Sequence, residues 1–503
     1  MRRSTLLLAL LSPAATVVAQ APRPARTPAA AAAATITATD VSGRIGIIAH
    51  DSMLGRDTPS RGLDLTAQYV ADEFQRFGLR PGGDDGTWFQ RYAITRRKLD
   101  IDSSAVVLRA GGTETRFPLY ATARFAQGTV PPGPVAGGVV LFAGPVTVEA
   151  AAAVPFQGKV ALVVADESRA GTQQLLRELI LGGASAVLIP SGLDSASFVS
   201  RLAGQARERT AIDLAERQTP VVLVLGSALA AALAPAGLDL GQLGAAPEPV
   251  ARELADVSAE VALREIIVSQ QTAPNTIGIL EGSDPRLRHE YVLFTAHMDH
   301  IGVTPGAADS INNGADDDAS GTAGVIELAE AFSRPGGRPK RSLIFMTVSG
   351  EEKGLWGSHY WSEHPTVPIA DVVADINMDM IGRNWTDTIV AIGREHSGLG
   401  PMLARVNARH PELRMTAIDD RWPEERFYFR SDHYNFARKG VPILFFFNGV
   451  HPDYHRPSDE PARIDADKEA RILRLIYYLG REVAGAPQRP KWNPESRAEI
   501  VEE

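Results

Sequence analysis

Four strongly apolar runs in the second half of the chain each lead into a histidine or an acid. Tyr291–Ala296 runs into His297 and Asp299, Leu343–Val348 runs through Ser349-Gly350 into Glu351 and Glu352, and Val372–Met378 runs into Asp379. Ile443–Phe447 runs through Asn448-Gly449 toward His451 and His455. Short runs this apolar read as strands buried on both faces. Helical patterns, Gly321–Phe332 and Lys468–Val483, lie between and after them. Strands and helices in this alternation predict an α/β fold, with a mixed, mainly parallel sheet covered by helices on both faces. Ligands of such sheets bind at the carboxyl ends of the strands. The charged residues therefore converge on one rim. The run Asp316-Asp317-Asp318 joins them from the Gly314–Gly321 loop ahead of a helix.

The residue types on that rim are metal ligands. The sequence contains 0 cysteines, and zinc without thiolates takes imidazole and carboxylate donors. A carboxylate can bridge two ions about 3.5–4 Å apart. One bridging acid, two histidines and two further acids therefore make a sufficient set. Each residue alone also has an ordinary structural reading: acids at a helix start, a pair of glutamates on a solvated turn, a histidine in a loop. Spacing leaves the choice open between His297 and His300, among the three aspartates, between Glu351 and Glu352, and between His451 and His455.

The 503 residues are enough for two or three domains, at roughly 100–200 residues each. Hydrophobic residues at 44% and charged residues at 22% fit a soluble globular chain. A formal net charge of -9 argues against a nucleic-acid partner, which needs clustered Lys and Arg. At the N-terminus, Arg2 and Arg3 precede an apolar run from Leu6 to Leu11 that continues to Val18, with small residues at Val17 and Ala19. This reads as a signal peptide over 1–19. The protein is expected to be exported, to the periplasm or the medium. The run is too short to span a bilayer, so no membrane anchor is expected in the mature form. With no cysteine there is no disulfide, no thiol nucleophile and no lipoprotein anchor.

Residues 20–39 are rich in Pro, Ala and Arg and read as a linker. Residues 40–108 and 263–486 are expected to form one catalytic domain, with helices within Val41–Gly78. Residues 109–262 carry strands at Val139–Phe142, Val160–Val164, Ala186–Ile189 and Val221–Leu225, and a helix with Leu175, Leu176, Leu179 and Ile180 on one face. No cluster of titratable groups appears there. It reads as an inserted α/β module, and 487–503 as a tail.

Five motifs occur in order: Ala296-His297-Met298-Asp299-His300, Asn313 to Gly321 (NGADDDASG), Ser349 to Gly354 (SGEEKG), Ile376 to Gly382 (INMDMIG) and Asp453 to Pro457 (DYHRP). Together they resemble the co-catalytic zinc peptidase family of bacterial leucyl aminopeptidases, aminopeptidase Y and glutamate carboxypeptidase II. The resemblance implies a zinc-exopeptidase-like fold and two zinc ions held by His297, Asp317, Glu352, Asp379 and His455, with Asp317 as the bridge. It makes Glu351 the general base and sets Asp299 behind His297. Tyr454 is the candidate to assist the oxyanion; its other reading is packing. The implied activity is hydrolysis of a peptide substrate, with an aminopeptidase leading. A carboxypeptidase, a dipeptidase, a one-zinc cyclising relative or a metal-free receptor-like protein are the alternatives. The insert is similar to a protease-associated domain. Ser431-Asp432-His433 is expected to be pocket wall or structure. Trp422, Tyr428 and Phe429 are candidate pocket aromatics, with core packing the equal alternative.

Overall fold

The computed structural model describes residues 27–165, 170–202, 204–205, 207–214 and 218–502. The signal-peptide reading of 1–19 lies outside the described residues. The chain builds two sheets. The first has ten strands, and its centre is formed by Ile443–Phe446, Val372–Met378, Tyr291–His297 and Ser342–Val348, each parallel to the next. It turns antiparallel at both flanks, through Glu265–Leu280 and Phe89–Leu99 on one side and Thr388–Ile392 on the other.

The central strands are apolar throughout because both faces are covered. Successive side chains point to opposite faces. Val292, Phe294 and Phe345 enter a core shared with the helices Gly321–Ser333 and Ala466–Gly485. Leu293, Ile344 and Met346 enter a second core with Trp361 and Phe436. Each such side chain contributes about 1.5–3 kcal/mol by leaving water. Packing is close: a Cβ on Gly480 would stand 2.4 Å from the Phe294 ring.

The second sheet has eight strands. Val135–Ala143, Val160–Val164, Ala186–Ser191 and Val221–Leu225 run parallel at its centre. Val250–Ala262, Ala105–Ala110 and Thr113–Pro118 add antiparallel strands on one side, and Ala123–Gln127 on the other. The chain leaves the first sheet along Phe89–Leu99 and returns along Glu265–Leu280, paired from Leu99↔Glu265 to Phe89↔Thr276. The first strand of the second sheet begins at Ala105, ahead of residue 109. Arg209–Ile212 crosses back to pair with Phe89–Leu99.

Two stretches whose composition reads as linker and tail contain helices. Pro28–Ala33, within the linker-like 20–39, is a helix with Ala32 and Ala33 buried. Alanine is the strongest helix former, Pro is accommodated in the first turn, and Thr27 caps the end. In 487–503, Pro494–Ile500 is a helix that buries Ile500, and Trp492 Nε1 donates to the Gly440 carbonyl at 2.8 Å. Among the described residues no helix is long and apolar enough to cross a membrane.

Arg56 ties the N-terminal helices to the sheet rim. Its buried guanidinium donates to the carbonyls of Met298 (2.9 Å), Ile48 (3.1 Å), Asn313 (2.6 Å) and Gly314 (2.9 Å). Replacing it removes the Arg56 donor from the carbonyls of Met298, Ile48 and Asn313, while the Gly314 carbonyl keeps the Ala319 N–H at 3.2 Å. Arg56→Met should therefore lose about 3–5 kcal/mol of stability, read as a lower urea midpoint; a midpoint unchanged from wild type would contradict this role.

Candidate metal centre

Each central strand delivers its polar residue as its ladder ends. His297 is the last residue of its strand, and Asp379 stands one residue beyond Met378. Glu351 and Glu352 follow a turn at Gly350, where φ is +73° and a Cβ would lie 2.8 Å from Tyr92 Oη. Asp317 lies in the turn leading into the helix Gly321–Ser333. His455 lies in the loop after Phe446.

The side chains converge in two groups that share Asp317. In the first, His297 Nε2 is 3.4 Å from Asp317 Oδ1 and 3.5 Å from Asp379 Oδ1. In the second, His455 Nε2 is 3.2 Å from Asp317 Oδ2 and 3.1 Å from Glu352 Oε2. Zinc bonds of about 2.0–2.1 Å at tetrahedral angles hold neighbouring donors about 3.3 Å apart, and the observed separations match that edge. Asp317 Oδ2 is buried with no hydrogen-bond partner. The residues fit zinc, with Asp317 facing both groups.

The electrostatics call for cations. Burial pulls the His297 imidazole down, but Asp379, Glu351, Asp299 and Asp317 outweigh it and hold it well above the usual range. His455, lowered by burial, is pushed up to about 10 by Asp317 and Glu352. Burial raises Asp317, yet His297, His455 and His300 hold it well below ordinary carboxylates.

The supporting residues are polar and specific. Asp299 lies beside His297, and its closer contact to His297 Nδ1 is its backbone carbonyl at 3.2 Å. Its carboxylate stands 3.7 Å from that nitrogen and accepts instead from the Glu351 N–H (3.2 Å) and Thr58 Oγ1 (3.0 Å). Ser431 Oγ donates to Asp379 Oδ2 at 3.0 Å. His300, set aside at the sequence level, has Nδ1 2.8 Å from Glu352 Oε1 and belongs to the second group. His451 belongs to neither group; its Nε2 is 3.3 Å from Asp316 Oδ2.

His297, Asp317, Glu351, Asp379 and Tyr454 open onto one recess, walled by Met380, Phe427, Phe445, Phe447 and Val450, with Arg430 and Ser431 at its side. Burial, together with Asp432, Asp379 and Glu352, raises the Glu351 carboxyl well above its usual range despite His297. Tyr454 stacks on His455 with ring centroids 3.9 Å apart, and burial beside Asp317 and Glu352 raises its phenol. Trp422, Tyr428 and Phe429 do not line the recess. Trp422 stacks on Trp385 and meets Phe447 edge-on, and Tyr428 packs against His396 and His433. Phe427, one position earlier, and Phe445 and Phe447 at the end of the last central strand are the recess aromatics the sequence reading missed.

Donors gathered at the carboxyl ends of parallel strands, beside the Glu351 carboxyl in an open recess, form a candidate metal centre. Residues 275–480 match the model of Peptidase family M28. A probable zinc metalloprotease of Pyrenophora tritici-repentis is 35% identical over 261 residues, covering 44% of this chain and 53% of that protein. A probable leucine aminopeptidase of Arthroderma benhamiae is 26% identical over 230 residues, covering 44% of this chain and 61% of the relative. The matches thus span between about half and three fifths of these relatives' lengths. Among solved structures, the aminopeptidase from Aneurinibacillus sp. strain AM-1 is similar at 19% identity, over 92% of this chain and 97% of that one, with a TM-score of 0.46.

Ser431-Asp432-His433 is not assembled as a triad. His433 Nε2 donates to the Tyr428 carbonyl at 2.8 Å, and its ring stacks on Phe445. Burial pushes the His433 imidazole down to about 3. Between that value and the free imidazole's, about 6.5, the unfolded chain binds this proton and the folded chain does not. Stability should therefore fall as pH drops through the window. His433→Gln should reduce the slope of unfolding free energy against pH there by about 1.4 kcal/mol per unit; an unchanged slope in denaturant melts would contradict a neutral buried imidazole.

Proposed function

We propose that this chain is an exported zinc-dependent exopeptidase, an aminopeptidase, that cleaves the peptide bond next to a free amino terminus and uses two zinc ions. The observation that carries the reading is the pair of donor groups sharing Asp317, open to a recess that also holds Glu351. His297, Asp317 and Asp379 would hold one ion, and Asp317, Glu352 and His455 the other. Zinc at these donors supplies Lewis acidity toward the scissile carbonyl and the attacking water. Relatives named as zinc metalloprotease and leucine aminopeptidase support the reading. The basic and apolar N-terminal pattern supports export. The inserted sheet is read as a protease-associated domain.

Glu351 takes the proton from the water as it attacks and returns it to the departing amine. The Glu351 N–H bond to Asp299 holds the segment in register with His297. Tyr454, protonated and on the recess wall, donates to the oxygen that gains charge. The wall of Met380, Phe427, Phe445 and Phe447 receives an apolar side chain. Arg430 on the same recess favours a second reading, in which a substrate carboxylate is bound and the enzyme is a carboxypeptidase or dipeptidase.

Glu351→Gln should keep the zinc content of the wild type and lose about 10²–10⁴-fold in kcat. Near-wild-type turnover would contradict the general-base role. The wild-type protein, assayed on free and N-blocked peptides, separates the readings: cleavage confined to blocked peptides would overturn the aminopeptidase.

A further inference from the structure

His300 is fully buried, and its donor geometry differs from that of the other imidazoles. His297 and His455 stand 3.1–3.5 Å from their carboxylates, the spacing of donors around a shared ion. His300 Nδ1 stands 2.8 Å from Glu352 Oε1, an ordinary hydrogen-bond length, and 3.7 Å from Asp317 Oδ2. The two oxygens of Glu352 are thereby divided: Oε1 faces His300, while Oε2 faces His455 at 3.1 Å. The His300 ring is fixed from below. A Cβ on Gly314 would lie 2.6 Å from its Cγ and Cδ2, so the ring rests directly on the backbone that leads to Asp317. His455 closes the other side edge-on, with ring centroids 5.6 Å apart.

The geometry points to His300 as a positioning residue for the second metal group. Its Nδ1–H holds Glu352 by one oxygen, so that only Oε2 is presented to the ion between Asp317 and His455. A carboxylate restrained in this way loses less rotational freedom on binding and cannot swing to chelate through both oxygens. This inference rests on the zinc reading above. Partners that orient metal ligands in this manner contribute about 10–100-fold in metal affinity.

The test is stepwise zinc binding by the full-length protein, stripped of metal and titrated against a chromophoric chelator. Wild type should bind two ions. His300→Ala and His300→Gln should each hold one ion as wild type does and the other about 10–100-fold more weakly. Gln retains volume but offers its N–H near the position of Nε2 rather than Nδ1, so it reports even if the Ala variant does not fold. His300→Asn, whose N–H stands near the Nδ1 position, should recover most of the loss and keep the visible absorption bands of the cobalt(II)-loaded wild type. Unchanged affinities in the Ala or Gln variant would overturn the proposal. So would an Asn variant as weak as Gln, or one with shifted cobalt bands, since either would make the imidazole itself the ligand. A wild type that binds no zinc would overturn the zinc reading instead.

Discussion

Asp318 supplies no donor to either metal group, yet three ligand segments hang on its buried carboxylate. Asp318 accepts the N–H of His297 at 3.2 Å, of Gly321 at 2.8 Å and of Met380 at 3.2 Å. Those amides belong to the end of one strand, the start of a helix and the residue after Asp379. Burial raises this carboxyl well above its usual range, and the Gly321 N–H pulls it back. An apolar residue here would leave three buried N–H groups unpaired, at about 1–3 kcal/mol each. Strand ends alone would bring His297 and Asp379 near one another; this carboxylate fixes the distance between them.

A second set of contacts holds the Asp317 loop from outside. Asp459 accepts the N–H groups of Asp316 and Asp317, while Arg56 takes the carbonyls of Asn313 and Gly314. The loop's own peptide groups are thus paired on both sides, and its carboxylates are left to face inward. Asp317, Glu351, Glu352 and Asp379 then share a small volume with His297 and His455. Their attraction for the protonated rings outweighs burial and raises both imidazoles. A site built with this excess of negative charge is stable when cations enter it.

The parallel centre of the sheet was legible because strands covered on both faces must be apolar along their whole length. Val372–Met378, Val160–Val164 and Val221–Leu225 have the boundaries their composition predicts. The flanking pair Phe89–Leu99 and Glu265–Leu280 was not, because the first half of Glu265–Leu280 is mostly exposed and mixes polar with apolar residues. Within the site, the rim was legible and the choice of neighbours was not. His297 and His300 both follow one strand, and only the packing against Gly314 shows which nitrogen meets which carboxylate. Phe427, Tyr428 and Phe429 form a single turn of 3₁₀ helix that points one ring of the three into the recess.

The central claim is that Asp317 is shared between two ions. Anomalous diffraction from zinc-loaded crystals at the zinc absorption edge tests it directly. Two peaks should flank the Asp317 carboxylate, one bounded by His297 and Asp379 and the other by Glu352 and His455. A single peak, or peaks that leave Asp317 in contact with only one ion, would contradict it.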